Sequence, residues 1–245
     1  MNRLSLRMAN HRHKTTIFCL CGSLLWGIGQ AKIVQAQTSY PRPEVVERMR
    51  TYHKMVRADA DQQLVELSST ATGLVYEIRY ASPNNFTGQA LYPANTRSCY
   101  LRRPAAEALS RVAASLQKKG LGLKIFDAYR PFGVTEAFWQ LIQDERYVAN
   151  PAKGSGHNRG IAIDLTLIDL RTKKELEMGT SFDNFSDTAH HTFTALPDLV
   201  LQNRKLLRTE MAAEGFVALE TEWWHYSLPN AKNFSLLNIP FKKLD

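Results

Sequence analysis

Apolar and polar positions change period several times along the 245 residues, and each change predicts an element. Val75, Glu77 and Arg79 alternate with Tyr76, Ile78 and Tyr80, the period of two expected of a strand. The pattern then breaks at Pro83, Asn84 and Asn85 into a loop placed to roof a site. "RRPAAEALSRVAASLQKKG" carries Ala and Leu at helical spacing, with Pro104 in its first turn, lysines near its end and Gly120 just beyond, which predicts a helix. Leu121, Leu123 and Ile125 form a second alternating run that leads to Asp127 and Arg130 and stops at Pro131; a helix over "GVTEAFWQLIQDERYVAN" is expected after it. Two more strands are expected at "SGHNRGIAIDLTLIDL" (155–170) and "ETEWWHYSL" (220–228). Between them lie a polar loop, "MGTSFDNFSDTAHH", and a helix, "LVLQNRKLLRTEMAAEG", closed by Gly215. Ahead of all these, Pro41 and Pro43 extend the chain, and the charged, weakly apolar segment to about Glu66 reads as an outer helix with a solvated His53. Strands and helices intersperse without βαβ regularity or repeats. The expected class is α+β, a single domain with a central, mostly antiparallel sheet flanked by helices.

The N-terminus changes the picture of charge. Residues 1–14 hold Arg3, Arg7, Arg12 and Lys14 and no acid, "TTIFCLCGSLLWGIG" is mostly apolar, and Val34 and Ala36 stand at the −3 and −1 positions of a cleavage site. This is the pattern of a signal peptide over residues 1–36, because an apolar run of about 15 is short of the roughly 20 a spanning helix needs. An extension with a helix (37–64) and a catalytic domain (65–240) are expected to follow. The chain is expected to be exported, periplasmic or secreted, with no stable membrane insertion after cleavage and an anchor only if the signal stays. The formal charge of +8 loses Arg3, Arg7, Arg12, Lys14 and Lys32 with the signal, leaving 26 basic and 23 acidic residues and a net of +3. Nothing in that balance argues for nucleic acid, and no protein partner is predicted.

Of three cysteines, Cys19 and Cys21 lie in the signal, so Cys99 is expected to be buried and inert, with no disulfide and no cysteine-based zinc site. A metal would have to be held by histidine and carboxylate. The mature chain keeps five histidines, His53, His157, His190, His191 and His225, and the pair His190–His191 is expected on a solvent-exposed loop.

"SGHNRGIAID" and "EWWH" each bring a histidine and a carboxylate. Three ligands of this kind plus one open position are the usual catalytic zinc site, and His157, Asp164 and His225 supply two imidazoles and one carboxylate. Glu222 would take a proton from a water activated by the metal and pass it to the leaving amine. Strand parity is a difficulty: residues 222 and 225, and again 157 and 164, would point to opposite faces of a regular strand. A bulge, or a turn holding Glu222, would resolve the first, and Gly160 the second. Arg130, at a strand end, is the candidate for binding a carbonyl oxygen or carboxylate.

These residues resemble the zinc D-alanyl-D-alanine dipeptidases, a group related to the bacterial D,D-carboxypeptidases. Its motif Ser-x-His-x-x-Gly-x-Ala-x-Asp is complete in Ser155, His157, Gly160, Ala162 and Asp164, and Glu-x-Trp-His in Glu222, Trp224 and His225. The similarity extends through "RYASPNNFTG", "CYLRRPAAEAL", "DAYRP" and "MGTSFDNF". It implies one zinc per chain, on the sheet, bound by His157, Asp164 and His225, with Glu222 as general base and Arg130 stabilising the tetrahedral intermediate. It also implies substrate contacts by Ser155, Asp183 and Tyr80, with Asp183 meeting a free ammonium group. The implied reaction is hydrolysis of D-Ala-D-Ala to two D-alanines; the alternative is a D,D- or L,D-carboxypeptidase acting on longer peptidoglycan peptides. Members that defend against glycopeptide antibiotics work in the cytoplasm. An exported chain would instead meet dipeptide released in wall turnover.

Overall fold

Five strands hydrogen-bond in the order β3 (Leu74–Tyr76), β5 (Leu121–Asp127), β6 (Ala162–Asp169), β8 (His225–Ser227) and β7 (Val217–Ala218). Only β3 and β5 run parallel; the other pairs are antiparallel. The computed structural model describes residues 40–94 and 96–244, so the expected signal peptide lies outside the described residues. Among the described residues no helix is long and apolar enough to cross a membrane.

Strand β6 is central, and all but its last residue are buried, which fits a run with few charges and many β-branched or Leu side chains. Its period of two sends Ile163, Leu165 and Leu167 into the main core and leaves Ala162, Asp164 and Thr166 on the other face. The same core takes the buried stripe of α2 (Arg103–Gln117), from Ala105 through Leu109 and Val112 to Leu116, at the spacing of one helical face. It also takes Leu207 and Met211 of α5 (Asp198–Ala213). The helix ends fall where the punctuation put them, with Pro104 in the first turn of α2 and Gly120 and Gly215 in the left-handed region just past α2 and α5.

Two small sheets tie the periphery together. The first, β1 (Val45–Val46) with β9 (Leu236–Leu237), joins the N-terminal segment to the C-terminal one and was not foreseen; the second pairs β2 (Leu64–Glu66) with β4 (Tyr100–Arg102). Helix α1 (Met49–Ala58) is the expected outer helix, with His53 exposed. Helix α3 (Phe132–Leu141) is shorter than its pattern suggested. The chain beyond Leu141 turns where Asp144 accepts the backbone N–H of Arg146, and Tyr147 and Val148 donate to the Asp144 carbonyl, so side-chain and turn bonds replace the helical ones. Cys99 is buried, and burial pushes its thiol well up.

Two local features aim side chains at one place. First, β5 carries a bulge: Ile125 pairs with Leu165 but Asp127 pairs with Asp164, so two residues advance on β5 for one on β6. The extra residue turns Asp127 to the face opposite Ile125. Second, His157 is not on a strand. "SGHNRG" is a single helical turn, α4 (Gly156–Arg159), with Ser155 as N-cap and Gly160 as C-cap at φ 71°. Ser155 Oγ accepts the N–H of Asn158, whose side-chain oxygen accepts the N–H of Ser155, a reciprocal capping box. A Cβ on Gly160 would lie 2.7 Å from Leu64 Cδ2 as well as demanding a left-handed backbone. Much of the motif is therefore the punctuation of one short helix.

Candidate active site

The register places Asp127, Asp164 and His225 in one row across β5, β6 and β8. Helix α4 brings His157 over that row. His157 Nε2 lies 3.3 Å from Asp164 Oδ2 and 3.2 Å from His225 Nδ1, and His225 Nδ1 lies 2.8 Å from Asp164 Oδ1. One ligand atom from each of the three falls within 4.8 Å of the others. His157 Nδ1 donates to the Ala128 carbonyl at 2.7 Å, which fixes the tautomer and leaves Nε2 as a bare lone pair facing the cluster. Burial would raise the Asp164 carboxyl, but the two imidazoles outweigh it and hold it well below the usual range. Burial would likewise lower His225, and the Asp164 hydrogen bond outweighs it and raises His225.

The parity difficulty over Glu222 disappears because Glu222 precedes the strand. Its N–H bonds the Leu219 carbonyl and its carbonyl takes the N–H of His225, so residues 219–225 form a turn that leads into β8. The carboxylate reaches back to within 3.9 Å of His225 Nδ1. Burial, reinforced by the charge of Asp164, raises its pKa to about 7.

Arg130 is buried, not a surface turn residue. Its Nε and Nη2 donate to Asp127 Oδ2 at 2.9 and 2.8 Å, and Nη2 stands 3.9 Å from Asp164 Oδ2. The guanidinium is sandwiched by Tyr80 and Phe138, 5.1 and 4.7 Å from the ring centroids. Asp127, which sequence reasoning left without a role, is the anchor: it is 1% exposed and accepts Tyr92 Oη at 2.7 Å on its other oxygen. Its signal was present in "DAYRP", but its partner is 35 residues away in sequence.

Asp183 sits at φ 59° on the loop after Gly179, and Tyr80 Oη donates to both its oxygens at 3.1 and 3.3 Å. Burial first, and then the charge of Asp164, raises Asp183 to about 8. Ser155, Tyr80, Arg130, His157, Asp164, Asp183, Glu222 and His225 all line one cavity of about 400 Å³. His190 and His191 do not join the metal cluster; both are half-buried, and burial with the nearby Arg208 lowers His191 to about 4.

The donor set suits a divalent cation. Two imidazoles and a carboxylate with an orienting carbonyl behind one of them match catalytic zinc, and four carboxyl groups against one guanidinium give the cavity an acid excess that a cation offsets.

Asp183 also carries a stability prediction. Its folded pKa of about 8 lies above the model value of 3.8, so between those values the folded chain keeps a proton that the unfolded chain has lost. The stability it contributes is full below the lower value and is lost as pH rises through the upper one, with a slope of at most about 1.4 kcal/mol per pH unit. Denaturant melts of chelator-treated Asp183→Asn should show a shallower loss of stability from pH 5 to pH 8 than the parent; equal slopes would mean that Asp183 is ionised in the folded state.

Comparison with known proteins agrees with this geometry. A family model described as D-ala-D-ala dipeptidase matches residues 60–243. D-alanyl-D-alanine dipeptidase of Escherichia coli is 39% identical over 175 residues, covering 71% of this chain and 89% of that protein. The proteins of the same name from Enterococcus faecalis and Streptomyces coelicolor are 32% and 31% identical, each covering 64% of this chain and 86% and 87% of their own lengths. With three quarters of its length inside the family match and the two-histidine, one-aspartate cluster built where the motifs lie, the chain belongs to the D-ala-D-ala dipeptidase family of metallopeptidases.

Proposed function

We propose that the protein hydrolyses D-alanyl-D-alanine to two D-alanines, with one zinc held by His157, Asp164 and His225, outside the cytoplasmic membrane in the turnover of wall dipeptide. The observation that carries the reading is the convergence of that cluster, Glu222 and Arg130 on one cavity that also contains Asp183. Zinc in such a site supplies a Lewis acid and an acidified water. Glu222, adjacent to the cluster and with a pKa near neutrality, takes the proton of the attacking water and returns it to the leaving amine. Arg130 turns its guanidinium edge to the developing oxyanion, held in place by Asp127 and two rings.

The ends of the substrate have partners too. The free ammonium group pairs with Asp183, whose charge is costly until a cation meets it. Tyr80 orients that carboxylate. Ser155 Oγ already accepts the cap bond from Asn158, which leaves its own O–H to donate to the terminal carboxylate.

The test is release of D-alanine by the chain lacking residues 1–36, with zinc measured on the same sample, from free and from N-acylated D-Ala-D-Ala. Cleavage of the free dipeptide with about one zinc per chain, and little cleavage of the blocked one, is expected from an ammonium bound to Asp183, since an unpaired buried carboxylate discriminates strongly. Equal cleavage of both would sink the dipeptidase reading in favour of a carboxypeptidase of longer peptides.

A further inference from the structure

We infer that Arg204, on α5 and outside the cavity, is a positioning residue for Glu222; this rests on the proposed role of Glu222 as base. Arg204 is 4% exposed. Its partners are backbone carbonyls from two separate loop segments: Nε donates to Met178 at 2.8 Å, Nη2 to Thr188 at 2.9 Å and Nη1 to His190 at 3.2 Å. A planar fork can meet three carbonyls at fixed angles, which a lysine ammonium on a flexible stem cannot.

What those carbonyls hold is the turn that carries Glu222. The N–H of His191 donates to Glu220 and the N–H of Trp223 donates to Ala189, so the 189–191 segment is bonded to the chain on both sides of Glu222. Arg204 fixes the carbonyls of Thr188 and His190 that flank and interleave with those two bonds. The same guanidinium lies 6.0 Å from the Trp223 ring, whose Nε1–H donates to Thr180 Oγ1 at 2.7 Å. Gly179 lets the loop come this close: a Cβ there would lie 2.9 Å from Val200 Cγ1 and 3.5 Å from Arg204 Nη2. The "MGT" of the 178–185 loop thus serves the base turn, while Asp183 farther along it serves the cavity. A displacement of about 1 Å at a catalytic group can cost roughly 10²-fold in rate, so a guanidinium two hydrogen bonds away from Glu222 controls turnover without touching substrate.

The experiment compares Arg204→Lys and Thr180→Val with the parent protein for kcat and KM on D-Ala-D-Ala, zinc content, and amide exchange at His191 and Trp223. Arg204→Lys should lower kcat roughly 10- to 100-fold with KM changed by less than about threefold and zinc per chain unchanged, the split expected when only the transition state is affected. Exchange at both amides should quicken. Thr180→Val, which removes one bond and keeps the fold, should lower kcat less and in the same manner; it decides the matter if Arg204→Lys does not fold. An unchanged kcat in folded, zinc-loaded Arg204→Lys, or unchanged exchange at His191 and Trp223, overturns the inference. If the parent is silent on D-Ala-D-Ala, the substrate reading fails by itself, and amide exchange still decides what Arg204 holds.

Discussion

Replacing Glu222 by Gln is expected to lower kcat for D-Ala-D-Ala by about 10²–10⁴-fold, the usual contribution of a general acid–base group, while leaving zinc bound and the fold intact. The separation follows from the geometry. Glu222 stands 3.9 Å from His225 Nδ1 and is not among the three residues whose donor atoms converge. Its removal takes no ligand away. The amide of Gln has nearly the same shape, so the cavity is not reshaped, and Gln needs no proton to be neutral. A buried carboxyl whose pKa is raised to about 7 is less stable ionised than it would be in water. The Gln variant should therefore melt at the same temperature as the parent or higher, the trade expected of a residue kept for chemistry. The measurement is kcat, KM, zinc content and melting temperature on one preparation. Turnover within about threefold of the parent would mean that the base lies elsewhere, and loss of zinc would mean that Glu222 is a ligand.

How the sequence announced this site, and where it misled, has a physical basis. Elements whose ends are set by local chemistry were legible: Pro104 with Gly120 for α2 and Gly215 for α5 act within a turn of themselves. The ligand residues were legible because only a few histidines exist and two lie in motifs with carboxylates. Their conformations were not. A four-residue helix is too short to show a period, so "SGHNRG" read as the start of a strand and created a parity problem that the capped turn of α4 does not have. Glu222 posed the same problem, and the backbone bond from its N–H to Leu219 answered it by placing it before β8. The bulge that turns Asp127 toward Asp164 leaves no mark in the alternation of Leu121, Leu123 and Ile125. Arg204 was the least legible: in "QNRKLLR" it looks like any solvated helical charge, and its three carbonyl partners lie 14 to 26 residues away. Burial of a cation by distant backbone cannot be read from local pattern.

Arg130 carries the other large effect, and here activity and stability should fall together but by different routes. In Arg130→Ala the site loses the donor aimed at the developing oxyanion, worth about 10²–10³-fold in kcat where such donors have been removed. It also loses the cation that faces Asp127. Asp127 is 1% exposed and keeps only Tyr92 as a described hydrogen-bond donor. Burial already raises its pKa against the pull of Arg130, so without the guanidinium it must either stay charged in an apolar setting or take up a proton. Breaking a buried pair in this way costs about 3–5 kcal/mol, and the space left between Tyr80 and Phe138 adds to it. Arg130→Lys separates the two effects. An ammonium can still face Asp127 and should recover much of the stability, but it cannot span Asp127 and the cavity as a fork does, so kcat should stay at least about tenfold low. Parallel denaturant melts and kinetics decide it. If Arg130→Lys recovers stability and kcat alike, Arg130 is only a structural counterion to Asp127. If it recovers stability alone, the fork geometry held by Asp127, Tyr80 and Phe138 is what the reaction uses.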